Sequence, residues 1–166
     1  MVEVLIRKYS EEDRASCRGL WEELTVRHRE IYDDPTIGGD DPGLYFDKHL
    51  AQAGPEHIFV ATEEGAIVGL SGYLVNGNEA CVEPLVVRKS RRGRGIGTML
   101  LEAVGNDLDK TAIKYLTVKP AARNVEALEF FRKRGFDKLG MIELFQDFSG
   151  TKWRKDAKLL GMEFEY

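Results

Sequence analysis

The clearest change of pattern along the chain is a strand that runs into a basic, glycine-rich loop and then into a helix. Leu85–Val87 is a short apolar run, typical of a buried strand. After Gly95, apolar residues recur every four positions, at 96, 100, 104 and 108, which predicts a helix beginning near Gly95. Five of the seven residues from Arg88 to Arg94 are basic. Because the first amides of a helix are unpaired and the helix dipole is positive there, the loop is a candidate phosphate-binding site.

The rest of the pattern predicts both helices and strands around this loop. A capping box at Ser10 and Asp13 opens a first helix, Asp41-Pro42 opens a second, and Asn76-Gly77 is a strong hairpin signal. In chain order the expected elements are strand 2–7, a helix to position 31, the helix after Pro42, strands 58–61, 67–75 and 80–87, the loop helix, strand 114–118, a helix at 125–134 capped by Asn124, and strands 141–148 and 159–166. We therefore predict an α+β fold with a mixed central sheet of about seven strands and roughly four helices.

Composition narrows the class of protein. A chain of 166 residues with 43% hydrophobic residues suits one globular domain. No apolar run approaches the ~20 residues of a membrane span, and the start lacks the regions of a signal peptide. Cys17 and Cys81 fall in an expected helix and strand, which favours a reduced, cytoplasmic protein without membrane contact. The net charge of −4 argues against nucleic acid as a partner, and no metal-binding motif is expected.

Two familiar phosphate loops do not fit the glycine spacing. A P-loop requires Gly-Lys-Ser/Thr, which is missing here, and the dinucleotide fingerprint fails because its third glycine would stand at Thr98. The pattern that fits is Arg-x-x-Gly-x-Gly, at Arg92, Gly95 and Gly97. It resembles the pyrophosphate loop of the GCN5-related N-acetyltransferases (GNAT family), which bind acetyl-coenzyme A. The alternative is a basic loop that merely caps a helix.

A second motif carries the same resemblance. Asn124–Phe136 is similar to the family's Asn-x-x-Ala-x-x-Phe-Tyr-x-x-x-Gly-Phe, and it follows the loop after about thirty residues. The resemblance implies one N-acetyltransferase domain over 1–166, with substrate-side helices in 1–57, an acetyl-coenzyme A-binding core in 58–136 and C-terminal strands in 137–166. It also implies a sheet that splays at the strand carrying Leu85–Val87.

The resemblance further implies a cofactor site, residue by residue. The backbone of Leu85, Val86 and Val87 would pair with the pantetheine arm, Asn124 would face it, and Phe131 would lie near the thioester sulfur. The pyrophosphate would be held by amides of the loop, namely Arg92, Gly93, Arg94, Gly95, Gly97 and Thr98. Pro84 supports this independently, because a proline within a strand favours a bulge, unless the strand simply lies at an edge.

The catalytic residues are less clear. An amine must lose a proton before it attacks a thioester, and Glu83, which we expect to be partly desolvated, is the candidate base; alternatively it is a solvent-facing strand residue. Many family members have a Tyr as the acid that protonates the thiolate, but this chain has Phe131, which donates no proton. Tyr73 and Tyr115 lie on neighbouring strands. Cys81 suggests a covalent route but has no evident His partner, so a buried thiol is favoured.

The predicted function is acetyl-coenzyme A-dependent N-acetylation of a primary amine by direct attack. An acidic loop would favour a small amine, a polyamine or a similar cationic acceptor, unless it is only a solvated loop; its acids are Asp33, Asp34, Asp40 and Asp41. A protein or peptide acceptor, and a non-catalytic acyl-coenzyme A sensor on the same fold, remain alternatives. A homodimer is compatible with the sequence, which does not define the oligomeric state.

Overall fold

The computed structural model describes residues 3–166, so that Val2 of the first predicted strand lies outside the described residues. The chain forms two compact units, one ending at Lys119 and one spanning Pro120–Tyr166. In the first unit the strands are β1 Val4–Lys8, β2 Ile58–Glu63, β3 Ala66–Asn76, β4 Glu79–Val87 and β5 Tyr115–Val118, and the helices are α1 Arg14–Tyr32, α2 Leu44–Ala53 and α3 Ile96–Asp107. The second unit contains α4 Val125–Arg132 and the strands β6 Ala157–Leu159 and β7 Met162–Phe164.

The first unit is built on a five-stranded sheet in the order β1-β2-β3-β4-β5. Neighbouring strands are antiparallel except β4 and β5, which are parallel, as the strand–helix–strand pattern predicts. A two-residue turn joins β3 to β4 at Gly77 and Asn78, one residue later than predicted, and Gly77 has the positive φ of 61° that this turn needs.

Helices cover both faces of this sheet. Apolar side chains of α1 and α2, among them Leu20 and Phe46, pack with Leu70 of β3 in a fully buried core. Gly69 points to the opposite face because successive strand residues alternate. A Cβ atom on Gly69 would lie 2.9 Å from Leu100 Cδ1 and 3.3 Å from Ile96 Cγ2, so α3 approaches the sheet closely at this point. The packing fixes the start of α3 over the middle of the sheet.

The second unit differs from the prediction. The expected strand at 141–148 has no regular secondary structure, and Met141 and Phe148 are 101% and 91% exposed. An alternating pattern forms a strand only when a partner strand is present. The expected strand at 159–166 is interrupted at Leu160 and Gly161, whose φ values of 50° and 80° make the turn of a short hairpin. The seven strands therefore form a sheet of five and a separate pair.

The helices of the described residues include none that is both long and apolar enough to cross a bilayer.

Candidate functional site

The candidate site begins at a bulge in β4. Ser71 pairs with Leu85 and Tyr73 pairs with Val82, so Gly72 of β3 stands opposite two residues, Glu83 and Pro84. Pro84 has no N–H to donate to the ladder, which explains why the pairing breaks there. The bulge predicted from Pro84 is confirmed.

Beyond the bulge, β4 has an open edge. Its pairing with β5 covers Glu79–Val82 only, while β4 itself continues for five residues to Val87. Within the sheet, Leu85–Val87 is paired on the β3 side alone, and Glu83 and Pro84 lie in the bulge without a partner strand residue. The splay predicted at Leu85–Val87 is therefore confirmed. Apart from Val87 O, which accepts from Arg92 Nε, the outer side of this stretch presents backbone groups to which an extended ligand could bind as an added strand.

The glycine-rich loop follows directly and ends at the amino terminus of α3. Gly93 and Gly95 have φ values of 75° and 83°, and Gly95 is the N-cap of the helix. The amide of Arg92 donates to Lys89 O at 3.4 Å and that of Thr98 donates to Gly95 O at 3.0 Å. Among the described residues, the five amides from Gly93 to Gly97 have no acceptor. The unpaired donors are thus a narrower set than the predicted range from Arg92 to Thr98.

This arrangement fits a pyrophosphate group. Consecutive unpaired amides at a helix N-terminus form a concave anion-binding surface. A Cβ built on Gly93 or Gly95 would meet no atom within 4 Å, so open space lies directly above the loop. The loop can therefore admit phosphate oxygens close to the backbone.

The arginines of the basic loop are largely engaged by the protein itself. Arg91 Nε bonds to Glu63 Oε2, and Arg94 Nη2 lies 2.7 Å from Glu63 Oε1. Arg92 Nε donates to Val87 O at 3.0 Å, and Arg88 Nη2 donates to Ile67 O at 3.3 Å. The basic cluster therefore ties the loop to the end of the sheet.

Glu83, the candidate base, is exposed to solvent. The expected partial desolvation is wrong, because only its neighbours Val82 and Pro84 point into the protein. The side chain nevertheless stands on the bulge itself, at the start of the open edge of β4. An exposed carboxylate in this position can still accept a proton from an approaching amine.

The second motif is formed locally within the second unit. Asn124 Oδ1 accepts a hydrogen bond of 3.1 Å from the Ala127 amide and caps α4, as predicted. Its NH₂ group has no acceptor among residues 3–166 and can serve a ligand. Phe131 is 9% exposed and packs edge-on against Phe130 and Phe136, with ring centroids 5.2 and 5.5 Å away.

The two tyrosines considered as thiolate acids have other environments. Tyr73 is 4% exposed, and its hydroxyl donates to Asp107 Oδ2 at 2.7 Å. Burial and this bond to a carboxylate raise the pKa of the Tyr73 phenol. Tyr115 is 62% exposed at the start of β5. Tyr73 is thus held by a carboxylate partner, which makes it a poor proton donor to another group.

The acidic loop is partly neutralised. Arg18 binds Asp41 through Nη2, with a shorter distance of 2.9 Å, and also pairs with Asp47. Asp34 accepts from the amide and hydroxyl of Thr36, bonds that lower the pKa of its carboxyl. Asp33 ends α1 with a left-handed φ of 53°. Local structure therefore accounts for Asp34 and Asp41, and only part of the predicted negative charge is left for an acceptor.

Two buried polar atoms near the bulge were not singled out from the sequence. His49 Nε2 and Ser71 Oγ have no hydrogen-bond partner among the described residues. Ser71 precedes Gly72, and a Cβ on Gly72 would lie 3.3 Å from His49 Nε2. Burial lowers the pKa of His49 to about 4, so its ring is neutral at pH 7. The sequence showed His49 only as one position of a helical apolar pattern.

The described part of the chain contains no group of three or more His, Cys, Asp or Glu residues that could hold a metal ion. The thiols of Cys17 and Cys81 are unpaired, and burial raises the pKa of Cys17 to about 12.

Comparison with known proteins gives one family match. Residues 54–138, just over half of the chain, match the acetyltransferase (GNAT) domain. The match includes the bulge, the open edge of β4, the loop and the Asn124 motif. No curated protein matches the chain significantly.

Solved structures share the fold at low sequence identity. A transcriptional regulator from Bacillus halodurans C-125 has a TM-score of 0.66 and 21% identity, covering 88% of this chain and 100% of that chain. The aminoglycoside N-acetyltransferase AAC(6')-Iy in complex with CoA gives 0.64 and 19%, covering 89% and 97%. Glucosamine-6-phosphate N-acetyltransferase from Arabidopsis thaliana gives 0.63 and 19%, covering 89% and 99%.

Proposed function

Since the chain belongs to the acetyltransferase (GNAT) family, and is therefore an acyltransferase with acetyl-coenzyme A as co-substrate, we propose that it acetylates a primary amine of a small cationic acceptor by direct attack. The observation that carries this proposal is the run of five unpaired amides, Gly93 to Gly97, directly after the open edge of β4. Together they offer an anion site and an unpaired strand edge in one continuous stretch.

The cofactor-binding roles follow from these features. The loop amides hold the pyrophosphate, and the backbone of Leu85, Val86 and Val87 pairs with the pantetheine arm. In the second unit, the NH₂ group of Asn124 donates to a pantetheine carbonyl, while its Oδ1 stays on the helix cap. Phe131 supplies an apolar ring near the sulfur. These roles are supported by the open outer side of β4, by the unpaired loop amides, by the hydrogen bonding of Asn124 and by the place of each residue in the family's motifs.

Acetyl-coenzyme A supplies an acetyl group activated as a thioester. The chain's own contribution to the chemistry is to remove a proton from the acceptor's ammonium group, whose pKa is near 10.4 when it resembles lysine. Glu83 is the proposed base because its carboxylate stands on the bulge and is accessible from solvent. With Phe131 unable to donate a proton and Tyr73 bonded to Asp107, water protonates the departing thiolate.

The acceptor class is proposed from charge and from the relatives. Asp33 and Asp40 add negative charge to the loop between α1 and α2, although Arg18 offsets Asp41. Two of the similar structures are named as acetyltransferases of an aminoglycoside and of glucosamine-6-phosphate, which are both small polar amines. Of the two, only the aminoglycoside is a cation, because the phosphate of glucosamine-6-phosphate outweighs its ammonium charge. We therefore place small cationic amines before peptides as acceptors.

The first experiment measures the binding of coenzyme A by calorimetry. The second measures the release of coenzyme A from acetyl-coenzyme A in the presence of four acceptors: a polyamine, an aminoglycoside, an amino sugar and a lysine peptide. Turnover with a small amine is the expected result. Preference for the peptide would favour a protein acetyltransferase. Binding without turnover on any acceptor would favour a non-catalytic sensor. This alternative is included because Phe131 cannot donate a proton. No binding of coenzyme A would overturn the proposal.

Glu83→Gln tests the base. The substitution keeps the shape of the side chain but removes the proton acceptor, so kcat should fall by ~10²–10⁴-fold and the pH–rate profile should lose its acidic limb. The affinity for coenzyme A should stay as in the wild type. The matched control is Glu64→Gln, an exposed carboxylate outside the proposed site, which should leave kcat unchanged. Wild-type rates in Glu83→Gln across the pH range would remove Glu83 from the mechanism.

A further inference from the structure

Glu63, at the end of β2, is a buried carboxylate with an unusual set of partners. Its side chain is only 4% exposed, yet it contacts the guanidinium groups of both Arg91 and Arg94. The ionic contact with Arg94, together with the hydrogen bond from Arg91, outweighs burial and holds the pKa of Glu63 below its ordinary value, although Glu63 Oε1 accepts no well-aligned hydrogen bond among the described residues. Glu63 is thus ionised at neutral pH, because two positive charges compensate a carboxylate that would otherwise be costly to bury.

The two arginines stand on either side of the turn that begins the loop. Arg91 ends a single 3-10 turn, and Arg94 precedes Gly95, the N-cap of α3. Between them lies Gly93, whose positive φ of 75° turns the backbone. One carboxylate therefore binds both ends of the four-residue segment Arg91–Arg94, which contains the first two of the amides that we assign to the pyrophosphate, those of Gly93 and Arg94.

The binding of a phosphate by backbone amides depends on how well those amides converge. A loop of glycines is flexible, and ordering it during binding would reduce affinity. Arg91 and Arg94 are 39% and 43% exposed, so Glu63 alone provides the buried anchor to which they are fixed. The guanidinium groups of Arg91 and Arg94 therefore stabilise the loop through their contacts with Glu63.

We propose that Glu63 is a positioning residue for the coenzyme A pyrophosphate: by binding Arg91 and Arg94 together, it holds the amides of Gly93 to Gly97 in a converging arrangement before the ligand arrives. This inference rests on the proposed function of the loop. It gives Arg91 and Arg94 a structural role within the loop. The basic sequence alone would also be compatible with direct contact between these side chains and phosphate.

The test is Glu63→Gln, with kinetics on two acetyl donors. Acetyl-coenzyme A carries the pyrophosphate and S-acetylpantetheine lacks it. The KM for acetyl-coenzyme A should rise ~10–100-fold, the loss expected when one or two charge-assisted hydrogen bonds no longer order the site. The kcat at saturation and the kinetic constants for S-acetylpantetheine should stay as in the wild type. Glu64→Gln, which removes a neighbouring exposed carboxylate, is the control and should change neither donor.

Other outcomes overturn the inference. Tighter binding in Glu63→Gln would mean that the freed arginines bind phosphate directly, and unchanged binding would mean that the anchor is dispensable. An equal loss with both donors would indicate a purely structural role. If Glu63→Gln does not fold, Arg94→Gln removes one of the two arms and must show the same selective loss for acetyl-coenzyme A. Failure of the wild type to bind coenzyme A would instead refute the proposed function.

Discussion

The two ends of α3 use their polar groups in opposite ways. At the amino end, the amides from Gly93 to Gly97 have no acceptor among the described residues. At the carboxyl end, Oδ2 of the Asp107 carboxylate accepts hydrogen bonds from Lys8 Nζ at 2.5 Å and from the Tyr73 hydroxyl at 2.7 Å. One end of the helix keeps its hydrogen-bonding capacity for a ligand, and the other uses that capacity to stabilise the fold.

Helix electrostatics alone would not favour the carboxylate of Asp107 at the carboxyl end of α3. A negative side chain there is opposed by the helix dipole, so Asp107 requires its partners. Hydrogen bonds from Lys8 and Tyr73 outweigh the effect of burial and lower the pKa of Asp107. At the amino end, the positive end of the helix dipole would favour an anion, and no carboxylate of the described residues accepts from the amides of Gly93 to Gly97. The candidate binding site is therefore identified by the unpaired amides at the amino end of α3, and not by the cluster of basic side chains in the loop before it.

The largest effect is expected from Gly95→Val. Gly95 has a φ of 83°, which a β-branched residue adopts only with strain, so the loop must change shape and the amides must lose their convergence. Loss of two or more charge-assisted hydrogen bonds corresponds to at least a ~100-fold weaker affinity for coenzyme A. Calorimetry measures this directly.

Circular dichroism checks that the variant is folded. The matched control is Gly105→Ala in the same helix, where φ is not positive and a Cβ meets nothing within 4 Å. Affinity in a folded Gly95→Val equal to that of the wild type would contradict the assignment of the loop.

Asp107→Ala should affect the other end. The substitution leaves the buried Tyr73 hydroxyl without its acceptor, which costs ~1–3 kcal/mol in the free energy of unfolding. Urea denaturation measures the loss, and the affinity for coenzyme A should not change. Tyr73→Phe in the same background removes the orphaned hydroxyl and should recover part of the loss. Weaker coenzyme A binding in Asp107→Ala would show that the two ends do not act separately.

Asp107 also makes stability depend on pH. Its pKa is lowered by folding, so its contribution is present above the unfolded value of ~3.9 and is lost as the pH falls through the folded value. The stability difference between wild type and Asp107→Ala should therefore shrink below about pH 4. A difference that is constant down to pH 2 would argue against an ionised Asp107 in the folded protein.

The features of the site that sequence predicted are the local ones. Three glycines, an apolar strand and a four-residue apolar repeat all lie between Leu85 and Leu108, and they correctly predicted the strand, the loop and the start of α3 at Ile96. Pro84 predicted the bulge because a missing N–H has a direct effect on the ladder. Asn124 predicted its helix cap because its side-chain oxygen accepts a hydrogen bond from the Ala127 amide, only three residues away.

The features that sequence did not predict depend on distant partners. Glu63 lies 28 residues from Arg91, and no local pattern joins them. Glu83 was expected to be partly desolvated, but burial of a strand residue depends on which element covers it. The segment at 141–148 alternates like a strand and has no regular secondary structure, because alternation does not supply a partner. In each case the missing information is a contact between parts of the chain that are remote in sequence.

The smallest effect is expected from Gly105→Ala itself. Gly105 lies inside α3 with helical geometry, where a glycine gains nothing from its freedom and loses conformational entropy on folding. An alanine there should raise the free energy of unfolding by ~0.5–1 kcal/mol, since the added methyl group meets open space. Urea denaturation measures the gain, and calorimetry should give the wild-type affinity for coenzyme A. Because Gly95 and Gly105 belong to one helix, opposite outcomes for the two substitutions would show that only the first glycine serves the ligand. A Gly105→Ala variant that binds coenzyme A less tightly would mean that the carboxyl half of α3 also contributes to the site, and a destabilised variant would contradict the predicted gain in stability.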